Sequence, residues 1–437
     1  MSDVPLKQIA RLAIPALVIL AAEPIYVLVD TAVVGHLGST PLAALSVGGG
    51  VLTLVAWLGT VLAYGTTGRS ARQFGAGDRE AAVREGVQAS WIALGTGLFV
   101  AIAAQFAAGP LAALLAGGGD PAVSSLAAEW MRVAALGAPG LMLATAGNGW
   151  LRGIQDTRRP LSYVVGAFTL SAILCPIFVY PLGFGLVGSA IANVVAQTLA
   201  GILFVRALVA EKIDLRPRPA VMGQQLVVAR DLVLRGLAFQ ACFLSATAVV
   251  ARFGTTALAA HQIALQLWFF CALILDAVAI AAQSLIGAEL GAGRDGEARQ
   301  LANRITLIGA ASGGALGVLI LAGALVVPGW FTSDPAVHEQ AMIAWPWFVA
   351  MTPLGGIVFA LDGVLIGAGD VRYMRNLTLV AALGGFLPAV WAAHFLGLGL
   401  GGVWAGLLLF VVIRLAALLA RLRTGRWAVV GAQLSTG

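Results

Sequence analysis

Apolar stretches of membrane-spanning length follow one another along almost the whole chain, at 10–35, 42–68, 86–108, 122–150, 161–181, 186–208, 228–251, 257–288, 305–327, 339–366, 377–396 and 402–420. A helix needs about 20 apolar residues to cross the hydrocarbon core of a bilayer. The pattern therefore predicts an all-α integral membrane protein with twelve transmembrane helices. Of the 437 residues, 60% are hydrophobic and 11% are charged, against about 25% charged in a soluble domain. That balance excludes a soluble enzyme, a disordered chain and a nucleic-acid-binding module. The 55 glycines follow no period of three. They sit among Ala, Leu and Val, where they let membrane helices pack closely.

Turn clusters separate the spans: Gly117-Gly118-Gly119-Asp120-Pro121, Val327-Pro328-Gly329 and Ser333-Asp334-Pro335. The longest polar connection runs from Glu211 to Gln225 and contains Arg216-Pro217-Arg218-Pro219. It reads as a linker between an N-lobe (1–210, helices 1–6) and a C-lobe (226–437, helices 7–12), with 211–225 on the cytoplasmic side. The net charge of +6 is a topological signal, because Lys and Arg concentrate in cytoplasmic loops. Lys7, Arg11, the arginines of the 2–3 connection, those around the linker and those ending the chain all fall on one side of a twelve-span arrangement. Only Arg132 and Arg252 fall towards the other. Both termini are expected in the cytoplasm, and the first helix is expected to be retained, since no small-residue cleavage site follows it. Cys175, Cys242 and Cys271 lie in apolar runs and read as packing residues.

The chain repeats itself. Thr31-Ala32-Val33-Val34 returns as Thr247-Ala248-Val249-Val250, and nine of fifteen positions are identical between 31–45 and 247–261. Gly75-Ala76-Gly77 matches Gly291-Ala292-Gly293 at the same offset of 216. At an offset of 214, Gly153 and Asp156 match Gly367 and Asp370, and Gly183, Gly185 and Gly188 match Gly397, Gly399 and Gly402. Six spans per half return the chain to its starting side, so the halves are parallel repeats. Two such six-helix bundles facing each other enclose a central cavity, and rocking them gives alternating access.

No G-x-x-x-x-G-K-[ST] loop is present, so ATP does not drive the protein through a P-loop. The four histidines are scattered, no catalytic or metal-ligand spacing appears, and neither a cofactor nor a metal is expected. An ion gradient is left as the energy source. A charged carboxylate at the bilayer centre costs at least about 2.5–3.5 kcal/mol, which singles out Glu23, Asp30, Asp276 and Asp362. Asp30 has no basic residue within two turns of its helix, and such surroundings favour a carboxyl in its neutral form. It can then take up and release a proton. Glu23 lies two turns earlier on the same face. Pro15 and Pro24 interrupt this helix and permit it to bend. Asp276 and Asp362 are candidates for a cavity or ion site in the second half. Asp30's repeat mate is Ala246, so the halves are not equivalent. Tyr26, Gln240, Gln266, Trp268 and Gln283 are candidate cavity residues.

Glu23-Pro24 together with Leu28-Val29-Asp30-Thr31-Ala32-Val33-Val34-Gly35-His36-Leu37-Gly38 resembles the first-helix signature of the DinF subgroup of MATE (multidrug and toxic compound extrusion) transporters. Phe74-Gly75-Ala76-Gly77, and Leu361-Asp362-Gly363 through Ala368 followed by Met374-Arg375-Asn376, resemble other parts of the same family. The resemblance covers essentially the whole chain. It implies a membrane antiporter, not an enzyme, that exports small organic, often cationic compounds in exchange for H⁺ or Na⁺. It also implies that Asp30 is the coupling carboxylate and that Pro15 is the bending proline. Where sodium-linked relatives carry Asn and Asp on the fifth helix, this chain has Ser171 and Cys175, and Asn193 stands where a relative has Thr. The missing second acid favours protons over sodium. A monomer in the cell membrane is the expected form. A lipid-linked precursor flippase is the alternative, but it would call for a strongly cationic cavity, and only Arg132, Arg235 and Arg252 lie near a span interior. A channel or a membrane enzyme is a third reading.

Overall fold

The computed structural model describes residues 6–117 and 120–432; Gly118 and Gly119 of the predicted turn cluster lie outside them. The regular secondary structure of the described residues is all helical, with no strand among them. In the first half, α1 (Leu6–Gly35), α2 (Ser39–Gly75), α3 (Arg79–Leu115), α4 (Pro121–Ala134), α5 (Ala138–Gly153), α6 (Arg158–Val179) and α7 (Gly185–Val209) follow in order. The second half consists of α8 (Pro219–Val250), α9 (Thr255–Gly291), α10 (Asp295–Ala322), α11 (Pro335–Ala368), α12 (Val371–Val380), α13 (Leu387–Phe395) and α14 (Gly399–Thr424).

Eleven helical segments among the described residues are long and apolar enough to span a membrane. They coincide with eleven of the twelve predicted stretches. The twelfth, at 122–150, is made of α4 and α5, joined by a 3₁₀ turn at Ala135–Gly137. Pro139 explains the break: it offers no N–H, and its ring crowds the carbonyl of Ala135 one turn earlier. The eleventh span is α12 and α13 joined by a π-helical segment at Ala381–Phe386, where Pro388 removes the hydrogen bond to Gly384 and the wider turn absorbs the mismatch.

The chain divides into two compact units, one of Ile14–Ala229 and one of Arg230 onward together with the first turns of α1. In the first, α5 packs against α2, α3 and α7; in the second, α11 packs against α9, α10 and α14. These central helices occupy corresponding places in the repeat, and glycines bring each against its neighbour in the same way. A Cβ on Gly149 would stand 2.8 Å from Ala63 O, and one on Gly363 would strike the backbone of Ala279. Ala63 and Ala279 are themselves 216 residues apart. The turns repeat as well. Gly38 (φ 123°) caps α2 and Gly254 (φ 113°) caps α9, both in a conformation that residues with a Cβ rarely adopt. Gly183 and Gly397, and Gly185 and Gly399, agree in φ to within a few degrees. We expect Gly149→Val to force α5 away from α2 and to cost about 1–3 kcal/mol, measurable as a lowered thermal transition in detergent.

The polar stretch 211–225 does not run free of the first unit. Trp91 Nε1 donates to Leu215 O (2.9 Å), Gln88 Nε2 to Arg216 O (3.0 Å), and Arg218 N to Gln88 Oε1 (2.6 Å). Asp214 accepts from the Arg216 backbone N–H at 3.1 Å. That bond, helped by the Arg218 guanidinium, holds its carboxyl below the usual carboxylate range. Gln225 Nε2 then donates to Glu85 Oε2 at 2.7 Å.

Candidate functional site

The α1 sequence places Glu23, Tyr26 and Asp30 on one helix face, at spacings of three and four. The structure directs that face towards α6 and α7. Asp30 is 5% exposed, and the thiol of Cys175 on α6 donates to its Oδ1 at 3.2 Å. The Ser189 side chain of α7 engages the same carboxyl, and Trp130 Nε1 donates to Ser189 Oγ at 3.2 Å. No arginine, lysine or histidine forms an ion pair with Asp30 among the described residues. Tyr26 is buried beside it, its ring 5.7 Å from that of Phe168, in an environment shared with Ser171, Cys175 and Asn193. The Tyr180 hydroxyl donates to Val33 O at 2.6 Å and ties the end of α6 to α1. Tyr26, Asp30, Ser171, Cys175 and Asn193 are thus brought together.

Next to this cluster lies a cavity of about 140 Å³ within the first unit. Glu23 of α1, Asn148 and Arg152 of α5, Ser171 of α6, and Asn193 and Gln197 of α7 contribute its polar lining. Ser171 Oγ, Asn148 Oδ1 and Gln197 Oε1 are buried with no protein hydrogen-bond partner among the described residues. Buried polar atoms are normally satisfied, so these three are disposed to meet water, a substrate or a transferring proton. Glu23 keeps exposed surface, whereas Asp30 does not. The remaining walls are apolar, among them Ile19, Leu141, Val164 and Phe168. Pro15 and Pro24 both lie inside α1, which is one continuous helix from Leu6 to Gly35.

Two buried charges of the first unit, one of them in this cavity, are not legible in the sequence. Arg152 reads there as a loop charge following span four, yet it lies in the last turn of α5, buried and lining the cavity. Glu85 reads as a helix-end acid, yet it is buried, with Arg69 donating to it from Nε (2.8 Å) and Nη2 (2.9 Å). Each requires knowing which way the helix faces.

The candidates in the second unit fare differently. Asp362, expected as a cavity or ion-site residue, is closed off by two arginines. Arg414 Nη2 donates to its Oδ1 (2.8 Å) and Oδ2 (2.7 Å), and Arg235 also pairs with Oδ2. The Phe239 ring lies 4.8 Å from the Arg414 guanidinium and 5.3 Å from that of Arg235. A carboxylate already shared by two guanidinium groups has no vacancy for a further cation, so the ion-site expectation for Asp362 is corrected. Arg414 reads in the sequence as one of the charges ending the chain, yet it lies within α14 and is 4% exposed. Asp276 on α9 is half-buried, Gln240 on α8 is exposed, and Gln283 is buried on α9 with neither amide heteroatom hydrogen-bonded. Trp268 packs among Phe348 and Phe359.

The MatE family pattern matches residues 15–177 and 232–391. The chain is 33% identical over 442 residues to Protein DETOXIFICATION 44, chloroplastic, of Arabidopsis thaliana, covering 97% of this chain and 84% of the plant protein. It is 31% identical to DNA damage-inducible protein F of Escherichia coli (strain K12), covering 96% and 94% of the two. Among solved structures it is similar to MATE in the bent conformation, with a TM-score of 0.86, 26% identity and coverage of 96% and 94%. A MOP superfamily transporter from Pyrococcus furiosus superimposes with a TM-score of 0.84, at 25% identity and coverage of 96% and 95%.

Proposed function

This chain belongs to the MatE family, and from that premise we propose that it is a proton-coupled antiporter exporting small organic, often cationic compounds. That it is a multi-pass membrane transporter, and not an enzyme, follows from the family. The coupling ion is our own reading, and one observation carries it. Asp30 is buried against a thiol and a hydroxyl, with no cation among the described residues pairing with it to hold it charged. A carboxyl in such a place is tolerated when it can become neutral, and gaining or losing that proton changes what α1 can pack against. Hard cations such as sodium prefer several oxygen ligands, and the neighbour closing on Asp30 is the sulfur of Cys175. Glu23, facing the adjacent cavity with some exposure, is suited to relay the proton. Pro15 and Pro24, each lacking a donor, are the places where α1 can bend in response. The concentration of Lys and Arg on one side supports cytoplasmic termini in a cell membrane, and we take the monomer as the working unit.

The test is efflux of a fluorescent organic cation from proteoliposomes under a proton gradient alone and a sodium gradient alone. Proton-driven efflux and none with sodium is the expected result. Efflux driven by sodium alone, at equal pH on both sides, would refute proton coupling.

A further inference from the structure

We propose that the polar end of the first unit carries a binding site for the headgroup of an anionic phospholipid, formed by Arg79, Arg159 and Arg206. These arginines come from the start of α3, the start of α6 and the last turn of α7, and they converge on a groove of about 520 Å³. Leu203 and Ala207 of α7 and Ala210 just past its end line it, and Tyr163 forms a wall. Small side chains on the last two turns of α7 leave the concavity open. The Tyr163 ring is fixed edge-on against Phe204, with centroids 5.2 Å apart.

The charge in the groove does not cancel. Its lining carries three arginines and one acid, Glu211, a net of +2. Asp156, which pairs with Arg159 at 3.2 Å from outside the lining, reduces this to +1. Glu211 acts as an organiser. It accepts from Arg79 Nε (3.2 Å) and Nη2 (2.9 Å) and from Arg159 Nη1 (3.4 Å), so two guanidinium groups are held side by side. Arg206 makes no ion pair among the described residues and is exposed. A phosphodiester suits this arrangement, because it accepts several guanidinium hydrogen bonds at once.

The ligand is a lipid rather than a free anion because of what continues from the groove. Val195, Leu199, Ile202 and Val209 are exposed apolar residues of α7 that share a helix face with Arg206, at spacings of three and four. In a membrane-spanning helix that stripe is where acyl chains lie. It leads directly to the arginine, and Tyr163, near the start of α6 beside these arginines, is of the residue type enriched where a membrane meets water. Basic pockets between helices on the side where Lys and Arg concentrate are suited to anionic headgroups.

Native mass spectrometry of the detergent-purified full chain tests this with phosphatidylglycerol and phosphatidylcholine as probes. Wild type should retain phosphatidylglycerol in preference to phosphatidylcholine. Arg206→Gln should weaken that retention about fivefold, and Arg159→Gln by a similar factor, as expected for one arginine near an anionic headgroup. Arg423→Gln, an exposed arginine outside the groove, should leave it unchanged. Arg206 has no partner to lose, so its variant will fold. Unchanged phosphatidylglycerol retention in Arg206→Gln overturns the site. Displacement of phosphatidylglycerol by millimolar inorganic phosphate would assign the groove to a free anion and overturn the lipid assignment.

Discussion

Asp30→Asn is expected to reduce gradient-driven efflux to the level of protein-free liposomes while leaving folded transporter in the membrane. The amide keeps the shape of the side chain, and its oxygen still accepts from the Cys175 thiol at the place where Oδ1 now does. What it loses is the ability to bind and release a proton. Because Asp30 compensates no buried cation, its neutralisation leaves no charge stranded, and the stability change should stay near the value of one hydrogen bond, about 1 kcal/mol. Asp30→Glu keeps a titratable group and should retain part of the transport. Both variants are read in the same proteoliposomes, with thermal unfolding in detergent as the control for folding. Proton-driven efflux at the wild-type rate in Asp30→Asn would remove this residue from the coupling step.

Asp362→Asn should behave in the opposite way, with a large loss of stability. The wild-type carboxylate holds the guanidinium groups of Arg235 and Arg414 together in the second unit. Removing its charge leaves the buried Arg414 and the half-buried Arg235 guanidinium groups facing each other with no counter-charge between them. Breaking a buried ion pair from one side costs about 3–5 kcal/mol, and here two pairs break at once. Arg235→Gln should cost much less, because Arg414 and Asp362 remain as a neutral pair over the Phe239 ring. Thermal unfolding of the three proteins in one detergent gives the order directly. An Asp362→Asn variant that melts with wild type would show that the arginines find another counter-charge.

The difference between these two acids marks the limit of what the sequence discloses. Both sit in apolar runs without a local cation, and along the chain they look alike. Asp30 is alone because α6 and α7 offer it a thiol and a hydroxyl. Asp362 is paired because Arg235 and Arg414 reach it from positions 127 and 52 residues away. Hydropathy fixes where a helix crosses but not its rotation about its own axis, and rotation decides which partners meet. For the same reason Arg152 and Arg414 read as ordinary end-of-span charges, although both are buried. The features set by local chemistry are legible: the span positions and the duplication, whose matching glycines Gly38 and Gly254 also share a positive φ. The two interrupted spans were missed because Pro139 and Pro388 leave hydropathy untouched while changing the turn.

The boundary between the compact units falls at Ile14 and again at Arg230, and these positions are themselves one repeat length of 216 apart. The opening turns of α1 therefore count with the second unit and those of α8, up to Ala229, with the first, at corresponding places in the repeat. Severing the chain in its central polar segment would not yield two self-sufficient pieces, since each would carry off part of its sibling.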